Sequence, residues 1–216
     1  MRRCLLLLLF ATPLVNAEWQ PIFNGIDLSG WRNYQKEDAS DQWVVANGEL
    51  KLLGRGGGDL IYDTIYEHFE LTIDWQISTG GNSGIFFLAD ERAERIYFNA
   101  PEIQILDDAR HPDRELATHR SGSLYDMIAA PAASQKPAGE WNTTRIKLLK
   151  KVLSIWHNDH LVTEIEIGSE TWRTLVANSK FKNWSGFGQN PSGYIGLQDH
   201  GDPVAFKNIK VRVLEE

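Results

Sequence analysis

The chain is built from short runs in which apolar and polar residues alternate. In the clearest of them Phe69, Leu71, Ile73, Trp75 and Ile77 interleave with Glu70, Thr72, Asp74, Gln76 and Ser78. Successive side chains of a strand point to opposite faces, so this run predicts a half-buried strand with one apolar face. Similar runs fall at 43–45, 49–53, 83–88, 143–149, 153–157, 160–167, 194–199 and 206–213, separated by Gly, Asn, Asp and Pro. That spacing is the pattern of an all-β sandwich. Asn158-Asp159 between two runs predicts a tight hairpin turn. Helix is expected only as a turn or two at 169–176 and 178–182. The glycine-rich stretch 54–58 is followed by neither Lys-Ser nor Lys-Thr and opens no helical pattern, so it reads as a flexible hairpin loop and not as a phosphate-binding loop.

One further run, 99–108, carries ionisable groups where a strand normally carries bland ones. Glu102 and Gln104 share one face of an extended chain, while Ile103 and Ile105 point to the other. One face can pack and the other can do chemistry. In a regular strand Asp107 falls on the packing face, and a single bulged residue after Gln104 would swing it back beside Glu102. The competing reading is an amphipathic edge strand with a solvated polar face.

The first residues change the picture of location. Arg2 and Arg3 precede an uncharged run over 5–10, and Val15-Asn16-Ala17 is small at the positions a signal peptidase reads. Residues 1–17 are therefore expected to be a cleavable signal peptide, leaving one domain over 18–216 in the periplasm or outside the cell. The apolar run is too short to span a bilayer, and the one cysteine, Cys4, lies inside the leader, so neither a membrane anchor nor a disulfide is expected in the mature chain. Loss of Arg2 and Arg3 takes the formal charge from −7 to −9, which disfavours nucleic acid as a partner. The sequence leaves the oligomeric state open.

Several other groups could carry chemistry. His200 is flanked by Asp199 and Asp202, which could orient its ring or raise its pKa; the alternative is an exposed turn histidine. Gln198 ends the same strand. Asn82 and Ser83 open a strand after Gly80-Gly81, where missing side chains let a ligand approach the backbone. Tyr125 lies in Ser121-Gly-Ser-Leu-Tyr-Asp126, ahead of a long Ala- and Pro-rich segment. Asp107, Asp108, His111 and Asp113 offer oxygen and imidazole donors to a divalent cation, although a solvated acidic loop has the same composition. No HExxH, paired-Cys or EF-hand spacing occurs, so spacing alone assigns no metal. Of the eight tryptophans, Trp43, Trp75 and Trp156 sit in strand patterns and read as core. Trp31, Trp141 and Trp184 sit in turn-rich settings and could present rings to the apolar faces of sugars.

Phe23-Asn-Gly-Ile-Asp-Leu-Ser-Gly-Trp31, Asn82-Ser-Gly-Ile-Phe86, Glu102-Ile-Gln-Ile-Leu-Asp107, Ser121-Gly-Ser-Leu-Tyr-Asp126, Gly139-Glu-Trp-Asn142 and Ile195-Gly-Leu-Gln-Asp-His-Gly201 occur in this order. With these motifs the mature chain resembles the bacterial 3-keto-disaccharide hydrolase family. The resemblance implies a concanavalin A-like jelly roll whose concave sheet binds sugar, and cleavage of glycosidic bonds in sugars already oxidised to a ketone at C3. Glu102, Gln104 and Asp107 also echo the acidic strand motif of jelly-roll glucanases, where the first carboxylate is the nucleophile and the last the acid/base. Here the middle position is Gln104 and the last is an aspartate.

A C3 ketone acidifies the hydrogen on C2, so a base can remove it, form an enediolate and expel the C1 substituent, after which water adds to the enone. Such a site needs a base, a group that stabilises the ketone oxygen and an acid for the leaving oxygen. Glu102, His200 and Asp107 are the candidate catalytic groups; Gln104, Gln198, Tyr125, Asn82, Ser83 and Trp141 are the candidate substrate contacts; a divalent cation is a possible cofactor. The expected ligand is a small carbohydrate or glycoside. The competing function is a non-catalytic, lectin-like module on the same fold. A conventional glucanase is disfavoured by Gln104.

Overall fold

The computed structural model describes residues 18–215, so the leader expected at 1–17 lies outside the described residues. In chain order the strands are β1 Gln20–Pro21, β2 Trp31–Asn33, β3 Trp43–Ala46, β4 Glu49–Leu52, β5 Leu60–Tyr62, β6 Phe69–Ile77, β7 Asn82–Ala89, β8 Glu102–Leu106, β9 Asn142–Leu149, β10 Val152–His157, β11 His160–Glu166, β12 Tyr194–Leu197 and β13 Val204–Val213. The α-helix is α1, Glu170–Ala177, capped by the Ser169 hydroxyl, which accepts the Trp172 N–H.

Two antiparallel sheets face each other. One runs β11-β10-β9-β6-β13-β4-β3 with β1 added on β13; the other runs β2-β5-β12-β7-β8. The strand of strictest alternation, β6, is central in the first sheet between β9 and β13. Its odd-numbered residues are buried against Ile85, Phe87, Ile103, Ile105 and Leu197 of the second sheet. On its outer face Glu70 is buried beneath its ion-pair partners Arg145 and Arg212. This is the expected jelly-roll sandwich, and each long run lies within a residue or two of its predicted bounds.

Three short strands, β1, β2 and β5, have no counterpart in the sequence reading, because two or three residues are too few to display a period. The 54–58 stretch is not a hairpin loop. It carries the chain from β4 in one sheet to β5 in the other, and its end is fixed where the Gly58 N–H donates to Asp199 Oδ2 at 2.8 Å. The strand expected to reach residue 199 stops at Leu197, because the Asp199 N–H leaves the ladder for the Asp59 carboxylate at 3.0 Å.

The outer face of the five-stranded sheet positions the site. Part of it is covered by an apolar cluster of Ile61, Phe86, Ala89, Ile96 and Ala100. The remainder is a polar floor.

Candidate active site

Register makes the floor. In the antiparallel pair β7–β8, Asn82 lies opposite Leu106, Gly84 opposite Gln104 and Phe86 opposite Glu102. Directly opposed residues share a face, so Asn82, Glu102 and Gln104 emerge together on the outer side. Gln198 joins them where its N–H bonds the Gly84 carbonyl at 2.9 Å. Ile103 and Ile105 are fully buried between the sheets. A Cβ built on Gly84 would collide with Cγ, Cδ and Oε1 of Glu102. Glycine at 84 is what lets the carboxyl lie flat across the sheet.

The floor lies under a cavity of about 510 Å³, walled by Tyr97, His111, Pro112, Asp113, Tyr125, Lys180, Trp184 and His200. Four buried side-chain atoms on the floor lack a hydrogen-bond partner: Asn82 Oδ1, Gln104 Oε1, Gln104 Nε2 and Gln198 Oε1. Buried polar groups are nearly always satisfied, so a cluster of orphans at one cavity points to a polar ligand. A larger cavity of about 880 Å³ lies elsewhere, beside α1, and its walls are mainly apolar. Glu67, His68, Gln189 and Asn190 also line it, but among the described residues the unpaired buried amide atoms gather at the smaller cavity, which is therefore the candidate chemical site.

The segment 121–128 covers the outer edge of β8. Gly122 and Tyr125 donate their N–H groups to the carbonyls of Gln104 and Glu102, and Gln104 donates to the Ser123 carbonyl. The edge is thereby closed to other chains, and Tyr125 is placed at the cavity. Its hydroxyl donates to Asp113 Oδ2 at 3.0 Å. The His119 ring bridges the Asp113 and Asp126 carboxylates at 2.8 Å on each nitrogen. Asp126 also accepts the Lys180 N–H at 2.7 Å, which ties the distant segment after α1 to this wall. Lys180 Nζ stands 4.0 Å from the Tyr125 ring centre.

Burial pushes the Glu102 carboxyl up, to about 8; the Lys180 charge and the Gln198 amide oppose that rise, and Asp59 and Asp113 reinforce it. Lys180 is lowered by desolvation, with Glu102, Asp126 and Asp113 opposing. Desolvation also raises Asp113, but the hydrogen bonds from His119 and Tyr125 outweigh it and the carboxyl ends below its ordinary value. Tyr125 is raised by burial and by the Asp113 charge. His200 stands at the mouth; desolvation of its inner side lowers its pKa, His111 adds to this, and Asp202 opposes it. Groups shifted in opposite directions within one cavity are candidates for proton exchange.

Among the described residues, Asp107, Asp108, His111 and Asp113 do not converge as a set of cation donors. Asp108 is held by the Ser121 N–H at 2.9 Å. The donors that do converge are on His111, His200 and Asp202, within 4.8 Å of one another. His111 Nδ1 already accepts the Asp113 N–H at 3.1 Å, the reverse of the outward donation by which metal-bound histidines are usually oriented. His200 and Asp202 are thus the better placed to hold a cation.

Residues 18–212 match the family described as the 3-keto-alpha-glucoside-1,2-lyase-like domain. The chain belongs to this family. It is 40% identical over 225 residues to a 3-keto-disaccharide hydrolase of Bacteroides thetaiotaomicron, covering 90% of this chain and 78% of that one. Among solved structures, a candidate glycosyl hydrolase from Parabacteroides distasonis superposes with a TM-score of 0.85 at 27% identity, covering 91% of this chain and 94% of that one. A Bacillus subtilis protein with a galectin-like fold has a TM-score of 0.59 at 14% identity over 91% of this chain and 94% of its own, a likeness of fold alone.

Within this 3-keto-glucoside lyase-like domain the residues singled out from sequence divide into two groups. Glu102, Gln104, Gln198, Tyr125, Asn82 and His200 line one cavity. Asp107 lies outside it. β8 runs without a bulge, so Asp107 stays off the polar face, and its buried carboxylate accepts the Gly80 and Ala109 N–H groups. Ser83 is on the inner face, its hydroxyl donating to the Gln198 carbonyl at 2.8 Å. Trp141 belongs to the other sheet's surroundings, beneath Lys207 at 3.8 Å. Trp31 is core, its indole donating to the Ile22 carbonyl; Trp184 does reach the cavity. Lys180 and Tyr97 had no sequence signal beyond aromatic neighbours in turn-rich segments.

Proposed function

We propose that the chain is a glycosidic-bond-cleaving enzyme acting on 3-keto-glycosides by abstraction of the C2 proton. The observation that carries this reading is Glu102: a carboxyl with raised pKa lying on a floor of unpaired amide atoms, beside a lysine. The amides of Asn82, Gln104 and Gln198 suit sugar hydroxyls, and Trp184 and Tyr97 offer rings to a sugar's apolar face. Ionised Glu102 is a stronger base than an ordinary carboxylate because burial disfavours its charge. It takes the C2 hydrogen as a proton, and the C–H electron pair becomes the enediolate.

Lys180 supplies positive charge to the developing C3 oxyanion, and Tyr125 holds the lysine's position through the cation–π contact. The enediolate pair then re-forms the ketone and makes the C1–C2 double bond as the C1–O bond breaks. His200 at the mouth delivers a proton to the departing oxygen. Addition of water across the enone completes net hydrolysis. A divalent cation held by His200 and Asp202 would be an alternative to the acid role of His200, supplying Lewis-acid polarisation of the ketone oxygen while the leaving oxygen takes its proton from water. The periplasmic or secreted location expected from the leader suits an enzyme that meets external glycosides.

The test compares wild type with Glu102→Gln on 3-keto-glucosides and on their unoxidised parents. The expected result is cleavage of the keto sugars alone, with turnover in the variant lower by about 10² or more and binding little changed. Equal cleavage of both sugars by wild type would remove the elimination mechanism. Sugar binding without any turnover would make the domain a lectin-like module.

A further inference from the structure

The larger cavity has a composition unlike the rest of the molecule. Leu88, Leu148, Ile167, Trp172, Val176 and Phe187 wall its apolar interior, between α1, the β9–β10 turn and the 187–191 loop. Its volume, about 880 Å³, is in the range that holds a drug-sized ligand. Lys150, Lys151, Arg173 and Lys182 stand around it against a single acid, Glu67. On a chain whose formal charge is −7, that excess of cations is a local reversal. Among the described residues, Lys150, Lys151 and Lys182 form no salt bridge.

The β9–β10 turn supplies an independent observation. Lys150 and Lys151 have φ of 49° and 69°, the left-handed conformation of a two-residue hairpin. The next hairpin, between β10 and β11, makes the same kind of turn with Asn158 and Asp159, at φ 45° and 66°. Asn, Asp and Gly are the residues that tolerate this conformation, and lysine is not favoured there. The β9–β10 turn thus places two lysines beside an apolar cavity at the expense of local backbone preference.

We propose that this cavity binds a small amphiphilic anion, with an aliphatic or aromatic body among Leu88, Trp172, Val176 and Phe187 and a carboxylate or sulfate head between Lys150, Lys151 and Lys182. Apolar walls drive burial of the body, and the lysines offset the desolvation of the head. The site is separate from the Glu102 cavity, and the proposal stands whatever reaction occurs there.

The probe is laurate, titrated calorimetrically below its micellar concentration, with dodecanol as the uncharged control. Wild type should bind laurate at least tenfold more tightly than dodecanol, with an affinity that falls as salt rises. The double variant Lys150→Asn/Lys151→Gly installs residues the turn prefers, so it should fold with an equal or higher Tm while losing about tenfold in laurate affinity. Val176→Trp, which fills the cavity, should abolish binding of both probes. Absence of laurate binding to wild type, equal affinity for dodecanol, or a double variant that binds laurate unchanged would each overturn the proposal.

Discussion

The Glu102 carboxyl occupies the space that a side chain at Gly84 would take, on the adjacent strand one register pair away. Glycine is ordinarily a weak choice inside a strand, and here its missing Cβ is the seat of the candidate base. Gly84→Ala should therefore displace the carboxyl and leave the interior untouched, because residue 84 faces away from the core between the sheets. A misplacement near 1 Å can cost roughly 10² in rate. The expected outcome on a 3-keto-glucoside is a fall of that order in kcat/KM with the circular dichroism spectrum retained. Undiminished activity would show that the position of Glu102 is not critical.

Glu102 also predicts a stability profile. Its folded-state pKa lies above its unfolded value, so the folded chain binds this proton more tightly between about 4.5 and 8. Stability from this group is fully present below that window and is lost as pH rises through it. Glutamine cannot ionise, so Glu102→Gln should gain on wild type as pH rises from 5 to 9, by on the order of a few kcal/mol. Urea unfolding at pH 5, 7 and 9 checks this; a constant difference would mean that Glu102 titrates normally.

His157 has the opposite sign. It is fully buried, stacked on Trp75 with ring centres 5.7 Å apart and pressed against Gly122. Burial, with Lys136 and His160 adding, lowers its pKa to about 4. The unfolded chain binds this proton first, so stability present above about 6.5 is lost as pH falls toward 4, by about 3 kcal/mol. His157→Phe keeps a ring and cannot titrate. Its unfolding free energy relative to wild type should improve across that window, and a pH-independent difference would rule out a buried neutral imidazole.

Much of this was legible in the chain because burial on one face writes a period of two. Phe69–Ile77 and Glu102–Leu106 could be read from alternation, and the latter also gave the faces of Glu102 and Gln104. Asp107 was misplaced because bulges leave no mark in alternation; only the observed register shows that β8 has none. Ser83 stands out by its place after Gly80-Gly81 and Trp141 by its turn-rich setting, and neither signal reports which sheet or which face a residue joins. Lys180 was missed for the converse reason. It follows a helix far along the chain and reaches the site through Asp126, whose carboxylate takes its N–H, and a contact over 54 positions has no local pattern.

Lys180 is also where charge and chemistry can be separated. Its ammonium lowers the Glu102 pKa against the larger desolvation effect, and in the proposed reaction it faces the enediolate oxygen. Lys180→Met removes both influences. Without the cation Glu102 should hold its proton to higher pH, so the acidic limb of kcat/KM should move upward by about one pH unit. The plateau should fall by about 10² to 10³, because the oxyanion has lost its preorganised charge. Lys180→Arg retains the charge and should restore the position of the limb even if the plateau stays low, since guanidinium geometry differs from that of an ammonium. A purely structural lysine would lower the plateau in both variants and leave the limb in place. The full pH profile of the two variants beside wild type therefore decides whether Lys180 acts on Glu102 and the substrate or only supports the wall that carries it.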